Sequence, residues 1–225
     1  MHLAEVYAQS RTRMIELAAP LTTEQQQTTV PATPLWTVAD VYRHVAGVPA
    51  DVLAGRVEGG GSPEWTAAQI APRADNTLDD VCAEWAETGP KYEELIAAAG
   101  FNRVRSTLDL WTHEQDVRGA LGGRGDRDDP ALPTLVTCLM ELLRRSWGAA
   151  RGIPRIEFVI DGKPHRYGGG EPEITLRTSS YEFVRMANSR RSRAQMHALD
   201  WTGTTPERVF DALTPFDLPE FDVVD

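Results

Sequence analysis

The chain has 225 residues, enough for one large domain or two small ones, and its 41% hydrophobic content with six Trp supports a real core. A formal net charge of -10 argues against a nucleic-acid or anionic-membrane partner, and no apolar run is long enough to span a bilayer. The only cysteines, Cys82 and Cys138, lie far apart and outside any CxxC motif, which excludes a disulfide framework and fits a reducing cytoplasm. Glu5 stands where a signal peptide would carry its apolar core, so no export signal is expected.

Taken in order, residues 3–19 carry Leu3, Val6, Tyr7, Met14, Ile15 and Leu17 between charges, and predict an amphipathic helix ended by Pro20. Residues 22–34, with Pro31 and Pro34, read as a loop. Thr37 and Asp40 have the spacing of a capping box that opens a second helix, whose stripe is Val38, Val41, Val45 and Val48. His44 lies within a turn of Val41 and Val48 and is expected to face inward. Residues 55–63, GRVEGGGSP, read as a loop. A third helical region is expected from Asn76 or Thr77 to Ala99, interrupted at Gly89-Pro90, with Gly100 as its C-terminal cap. A fourth helix, starting between Val104 and Thr107, holds Asp109, His113, Asp116 and Ala120 on one face, beside an apolar stripe of Leu110, Val117 and Leu121. Residues 122–133 are a charged loop, and 135–150 a strongly apolar helix. Helices and loops alone fit an antiparallel bundle over residues 1–152.

From residue 153 the pattern changes. Residues 155–161, RIEFVID, alternate like a strand; Asp161-Gly162 reads as a turn into a second strand at 164–167, and 173–177 as a third. Ser179-x-x-Glu182 opens a short helix, and Thr205-Pro206 marks the start of another. Residues 153–225 thus read as a small α/β domain with an acidic, loosely packed tail.

A carboxylate and an imidazole one turn apart, Asp109 and His113, can share a divalent metal ion once a second imidazole completes a two-His, one-carboxylate set, and His44 is the best candidate. Asp116 could orient a ligand or act as a base. The bland readings are that Ser106-x-x-Asp109 is only a capping box and that the histidines are hydrogen-bonded core residues. Arg185, Arg190, Arg191 and Arg193 form a basic island in an acidic chain, either an anion-binding group or a solvated face paired with the acidic tail. Both cysteines read as buried small residues rather than nucleophiles. His2, His165 and His197 carry no supporting pattern, and no phosphate loop or GxSxG elbow is present.

The segments TPLWTVADVYRHVAG, LDLWTHEQDVRGALG and NSRRSRAQMHALDWTG resemble, in this order, three segments of the mycothiol-dependent maleylpyruvate isomerase family. The resemblance implies a DinB-like four-helix bundle followed by a small sterol-carrier-like α/β domain. It also implies a divalent metal, typically zinc, on His44, Asp109 and His113, with Asp where the isomerase has Glu. The implied activity is isomerase or transferase chemistry on a small electrophile with mycothiol or a similar thiol as cosubstrate. Asp116, Arg190 and Arg191 are then the expected catalytic residues, and Arg190, Arg191 and Arg193 the ones expected to hold an anionic thiol or substrate. The expected partners are small molecules, and the expected state is a cytoplasmic monomer or homodimer. The rival readings are a non-catalytic metal-binding or sensor protein on the same fold and a metal-dependent hydrolase.

Overall fold

The computed structural model describes residues 1–147, 154–203, 207–214 and 216–225, which form two compact units, Met1–Gly125 with Asp225, and Asp126–Val224. In the first unit, helix α1 (Leu3–Ala18) leads through a single helical turn, α2 (Thr23–Gln26), into a two-stranded antiparallel hairpin of β1 (Thr29–Val30) and β2 (Thr33–Thr37). Helices α3 (Val38–Leu53), α4 (Pro63–Ile70), α5 (Leu78–Ala99) and α6 (Val104–Ala120) follow. The four long helices pack together, α3 against α5 and α6, and α1 against α5 and α6. Their apolar stripes meet in one core that includes Tyr7, Met14, Val41, Val45, Trp85, Tyr92, Ile96, Leu110 and Val117. Two of its buried polar side chains are paired: the Trp85 indole N–H donates to the Tyr7 hydroxyl at 3.2 Å, and the Tyr42 hydroxyl to the Met14 carbonyl at 2.7 Å.

The caps set the starts of these helices. Thr37 and Asp40 exchange reciprocal bonds at the head of α3, and Thr77 and Asp80 do the same for α5. Three findings differ from the sequence reading. The residues taken as a loop between α1 and α3 hold α2 and the β1–β2 hairpin. Residues 63–70, beyond the expected loop, form α4, opened by the Ser62 side chain and Pro63. And α5 runs unbroken through Gly89-Pro90. Gly89 is there for close approach rather than for a break, because a Cβ at this position would lie 2.5 Å from Cδ of Arg11, which crosses over it to reach Glu93 at 2.7 Å.

The second unit contains α7 (Leu132–Trp147) and a four-stranded mixed sheet with strand order β4-β3-β5-β6. These strands are β3 (Ile156–Ile160), β4 (Lys163–Tyr167), β5 (Ile174–Thr178) and β6 (Asp200–Gly203), with α8 (Ser180–Ala187), α9 (Arg193–His197) and α10 (Glu207–Leu213). β3 pairs parallel with β5, and the other neighbours are antiparallel. Asp161 and Gly162 both have positive φ, 47° and 76°, the conformation of a type I′ hairpin turn. The expected domain boundary at 152 and 153 and the expected helix start at Thr205-Pro206 lie outside the described residues. Helix α7, expected in the bundle, packs against α8, and Trp147 stacks edge-on against Phe158 of the sheet at 6.3 Å. The acidic tail is held at both ends, the Phe216 backbone exchanging bonds with the Ser189 hydroxyl at 2.9 and 3.2 Å. Val223 is buried and bonded to Gln195, while Phe216 and Phe221 stay exposed.

Trp85 is fully buried and fills the centre of the helical core. Trp85→Ala should destabilise the protein by about 3–5 kcal/mol, read by urea denaturation, because the neighbouring helices cannot close so large a void. A loss under about 1 kcal/mol would mean that the core repacks freely there.

Candidate metal centre

Helices α3 and α6 bring the two predicted segments together. His44 on α3 and His113 on α6 are buried, each with about 3% exposure, and their ring centroids lie 5.2 Å apart. Asp109, one turn before His113, sits between them. Its Oδ2 is 3.3 Å from Nε2 of His44 and its Oδ1 is 3.5 Å from Nε2 of His113. One ligand atom from each residue lies within 4.8 Å of the other two. A tetrahedral ion with bonds near 2.1 Å holds its ligands roughly 3.4 Å apart, so this set closes on an ion with small side-chain shifts. The Asp109 side chain keeps 38% exposure while both histidine side chains keep 4%, so the set is reached from the carboxylate side.

The capping alternative for Asp109 fails here. Helix α6 starts at Val104, so Asp109 stands in its second turn, and Ser106 instead accepts a bond from the Tyr92 hydroxyl at 2.6 Å.

Electrostatics tie the three groups to one another. Burial raises the Asp109 carboxyl pKa, but the imidazoles of His113 and His44 outweigh it and hold the group well below the usual carboxylate range. Burial likewise lowers His113, and the charges and hydrogen bonds of Asp109 and Asp116 outweigh it, so the imidazole is shifted up. The carboxylate therefore demands a positive charge beside it, from a proton or a metal ion.

Each imidazole is also held from behind. Nδ1 of His44 lies 2.6 Å from Oε1 of Gln69, and Nδ1 of His113 lies 3.2 Å from Oδ2 of Asp116. At His44 the Gln69 acceptor keeps the proton on Nδ1 and turns the Nε2 lone pair to the front, which is what a histidine ligand requires, while Asp116 stands beside Nδ1 of His113 at ion-pair distance. Asp116 is 2% exposed and lies behind the ring, a position that fits the orienting one of its two expected roles. Trp36 of the hairpin covers both rings, with centroids 5.0 Å from His44 and 5.8 Å from His113, and Trp65 of α4 stands edge-on to His44 at 6.5 Å.

Sequence reasoning missed Gln69, Trp36 and Trp65 as parts of this site, because they come from α4 and the hairpin. Trp36 lay in the same TPLWTVADVYRHVAG segment as His44, and the Ser62-Pro63 helix start places Trp65 and Gln69 four residues apart on α4.

The arginine island belongs to the second unit and is engaged within it. Arg191 is 5% exposed and forks onto both carboxylate oxygens of Glu182, with Nη2 to Oε2 at 2.9 Å. Arg190 donates to the Asn188 carbonyl at 2.9 Å, and Arg185 is fully buried. Arg193 is the open one, with 55% side-chain exposure and an ion pair to Glu207.

Residues 7–118 match the family described as the mycothiol maleylpyruvate isomerase N-terminal domain. Two crystal structures resemble the chain over most of its length. One is of a histidine-to-alanine mutant of the mycothiol-dependent maleylpyruvate isomerase, 14% identical, with a TM-score of 0.59 over 91% of this chain and 94% of that one. The other is of the mycothiol-dependent maleylpyruvate isomerase, 17% identical, with a TM-score of 0.55 over 91% and 92%. At such identities the likeness shows the fold. Among curated proteins none matches the chain in sequence.

The donor set gives a direct expectation. The parent should take up about one zinc ion per chain, and His44→Ala and His113→Ala should each lose it with the helical content kept, by elemental analysis and circular dichroism. Asp116→Ala, which keeps all three donors, should weaken zinc about tenfold to hundredfold. Full zinc retention in both histidine variants would rule the site out.

Proposed function

The helical unit belongs to the mycothiol maleylpyruvate isomerase N-terminal domain family, and on that premise we propose that the protein is a metal- and thiol-dependent isomerase or transferase acting on a small electrophile. The observation that carries the reading is the convergence of His44, Asp109 and His113, with Gln69 hydrogen-bonded behind His44 and the Asp116 carboxylate 3.2 Å from Nδ1 of His113. Two nitrogens and one carboxylate oxygen suit zinc, iron, nickel or manganese, and zinc is the first choice. Bound there, a divalent ion would supply a Lewis acid that stabilises a thiolate or polarises a substrate carbonyl.

The chain's own residues supply the rest. Gln69 and Asp116 fix the two imidazoles, and Trp36 and Trp65 give the site aromatic walls that limit water and favour a flat, small substrate. Neither chain thiol is poised to attack. Burial, helped by Asp79, pushes the Cys82 thiol up to about 11, and burial raises Cys138 as well. The nucleophile is therefore a soluble thiol. Its sulfur adds to a substrate carbon–carbon double bond, the resulting single bond rotates, and expulsion of the thiolate restores the double bond in the other geometry. Of the three arginines assigned to an anionic ligand, Arg193 fits best, because a ligand carboxylate can take the place of its exposed partner Glu207. Arg190 and Arg191 serve by holding the segment that bears it.

The test is turnover of maleylpyruvate by the zinc-loaded protein with and without mycothiol or another small thiol. Turnover should require both zinc and thiol, and the Cys82→Ala, Cys138→Ala double variant should keep it. Thiol-free hydrolysis would favour a hydrolase, and metal binding without turnover across a broad electrophile panel a binding module.

Arg193→Ala should weaken thiol or substrate binding about tenfold to hundredfold, the loss of one charge-assisted bond, with zinc affinity unchanged. Unchanged affinity for both ligands would return Arg193 to a surface ion pair.

A further inference from the structure

We propose that Gln69 is a positioning residue for the metal centre, its side-chain oxygen holding the His44 imidazole so that Nε2 faces Asp109. The inference rests on the reading of His44, Asp109 and His113 as a metal centre and adds to it a residue outside the ligand set.

Gln69 is fully buried, and its amide Nε2 has no hydrogen-bond partner among the described residues. A side chain kept only to fill this space would be apolar, since a buried amide with its donors unmet is penalised. The oxygen is the part in use, at 2.6 Å from Nδ1 of His44. A histidine ligand needs an acceptor for the proton on its second ring nitrogen, which fixes both tautomer and ring orientation. His113 has the Asp116 carboxylate in that place, and His44 has Gln69.

The approach of Gln69 is built into three helices. The Arg73 Nη1 donates to the Gln69 backbone carbonyl at 2.8 Å, and Arg73, itself 8% exposed, pairs with Glu84 of α5 through Nε at 2.7 Å. Arg43, the residue before His44, donates to the carbonyls of Arg73 at 3.0 Å and Ala74 at 2.9 Å. Gly47, three residues after His44, lacks the side chain that would block the meeting. A Cβ there would stand 2.7 Å from Cβ of Gln69 and 3.0 Å from Nη1 of Arg73. Helix α3 thus carries both the ligand and the gap that receives the residue behind it.

Zinc affinity is the readout, measured by competition with a chromophoric chelator, alongside thermal melts of the zinc-free proteins. Gln69→Leu should bind zinc about tenfold to hundredfold more weakly than the parent. Gln69→Glu, which keeps an acceptor at Nδ1, should bind at least as tightly as the parent. Gly47→Ala, which keeps Gln69 and displaces it, should weaken zinc in the direction of Gln69→Leu. Should the leucine variant fail to fold, Gln69→Met reads the same loss at closer volume. Parental affinity in Gln69→Leu would overturn the assignment and leave the metal centre standing, as would a Gln69→Glu that loses as much as Gln69→Leu. A parent that binds no zinc would overturn the metal centre and this role together.

Discussion

A half-exposed carboxylate wedged between two buried imidazoles is the feature around which the helical unit is arranged. Asp109 stays ionised because His44 and His113 stand within 3.5 Å of its oxygens, and His113 is shifted up for the same reason. One dication would satisfy the carboxylate and both Nε2 lone pairs at once. The contacts behind the rings follow from that demand. Gln69 accepts at Nδ1 of His44, Asp116 stands 3.2 Å from Nδ1 of His113, and the residues that hold Gln69 reach from α3 to α5.

What the sequence made legible was whatever depends on local period and caps. The i, i+4 spacing of Asp109 and His113 put both on one face of α6, and the valine stripe of α3 turned His44 inward, so the three residues that the structure brings together could be named before any packing was known. The Thr37–Asp40 box located the start of α3. What stayed hidden depends on pairing distant segments. The hairpin that carries Trp36 is made of strands of two and five residues, with Pro31 between them and Pro34 inside the second, too short for alternation to be readable. Gln69 had no motif, since a lone Gln on a short helix looks like surface. Gly89-Pro90 misled because its reason lies in Arg11 on another helix.

The arginine island shows the same limit from the other side. Its density in an acidic chain suggested a ligand site, and charge counting has no means of separating anion binding from internal ion pairs. Arg191 is enclosed with Glu182, a forked pair between α8 and the segment leading into α9, and removing one partner of such a pair leaves a charge in a poor environment. Only Arg193, over half exposed, keeps the accessibility that ligand binding asks for.

X-ray absorption at the zinc edge of the loaded protein reads the proposed set of two imidazoles and one carboxylate on a single ion. The expected first shell holds nitrogen and oxygen only, with multiple scattering from about two imidazoles and bonds near 2.0–2.1 Å. Sulfur at about 2.3 Å, the signature of Cys82 or Cys138 as a ligand, or a shell without imidazole scattering, would contradict it.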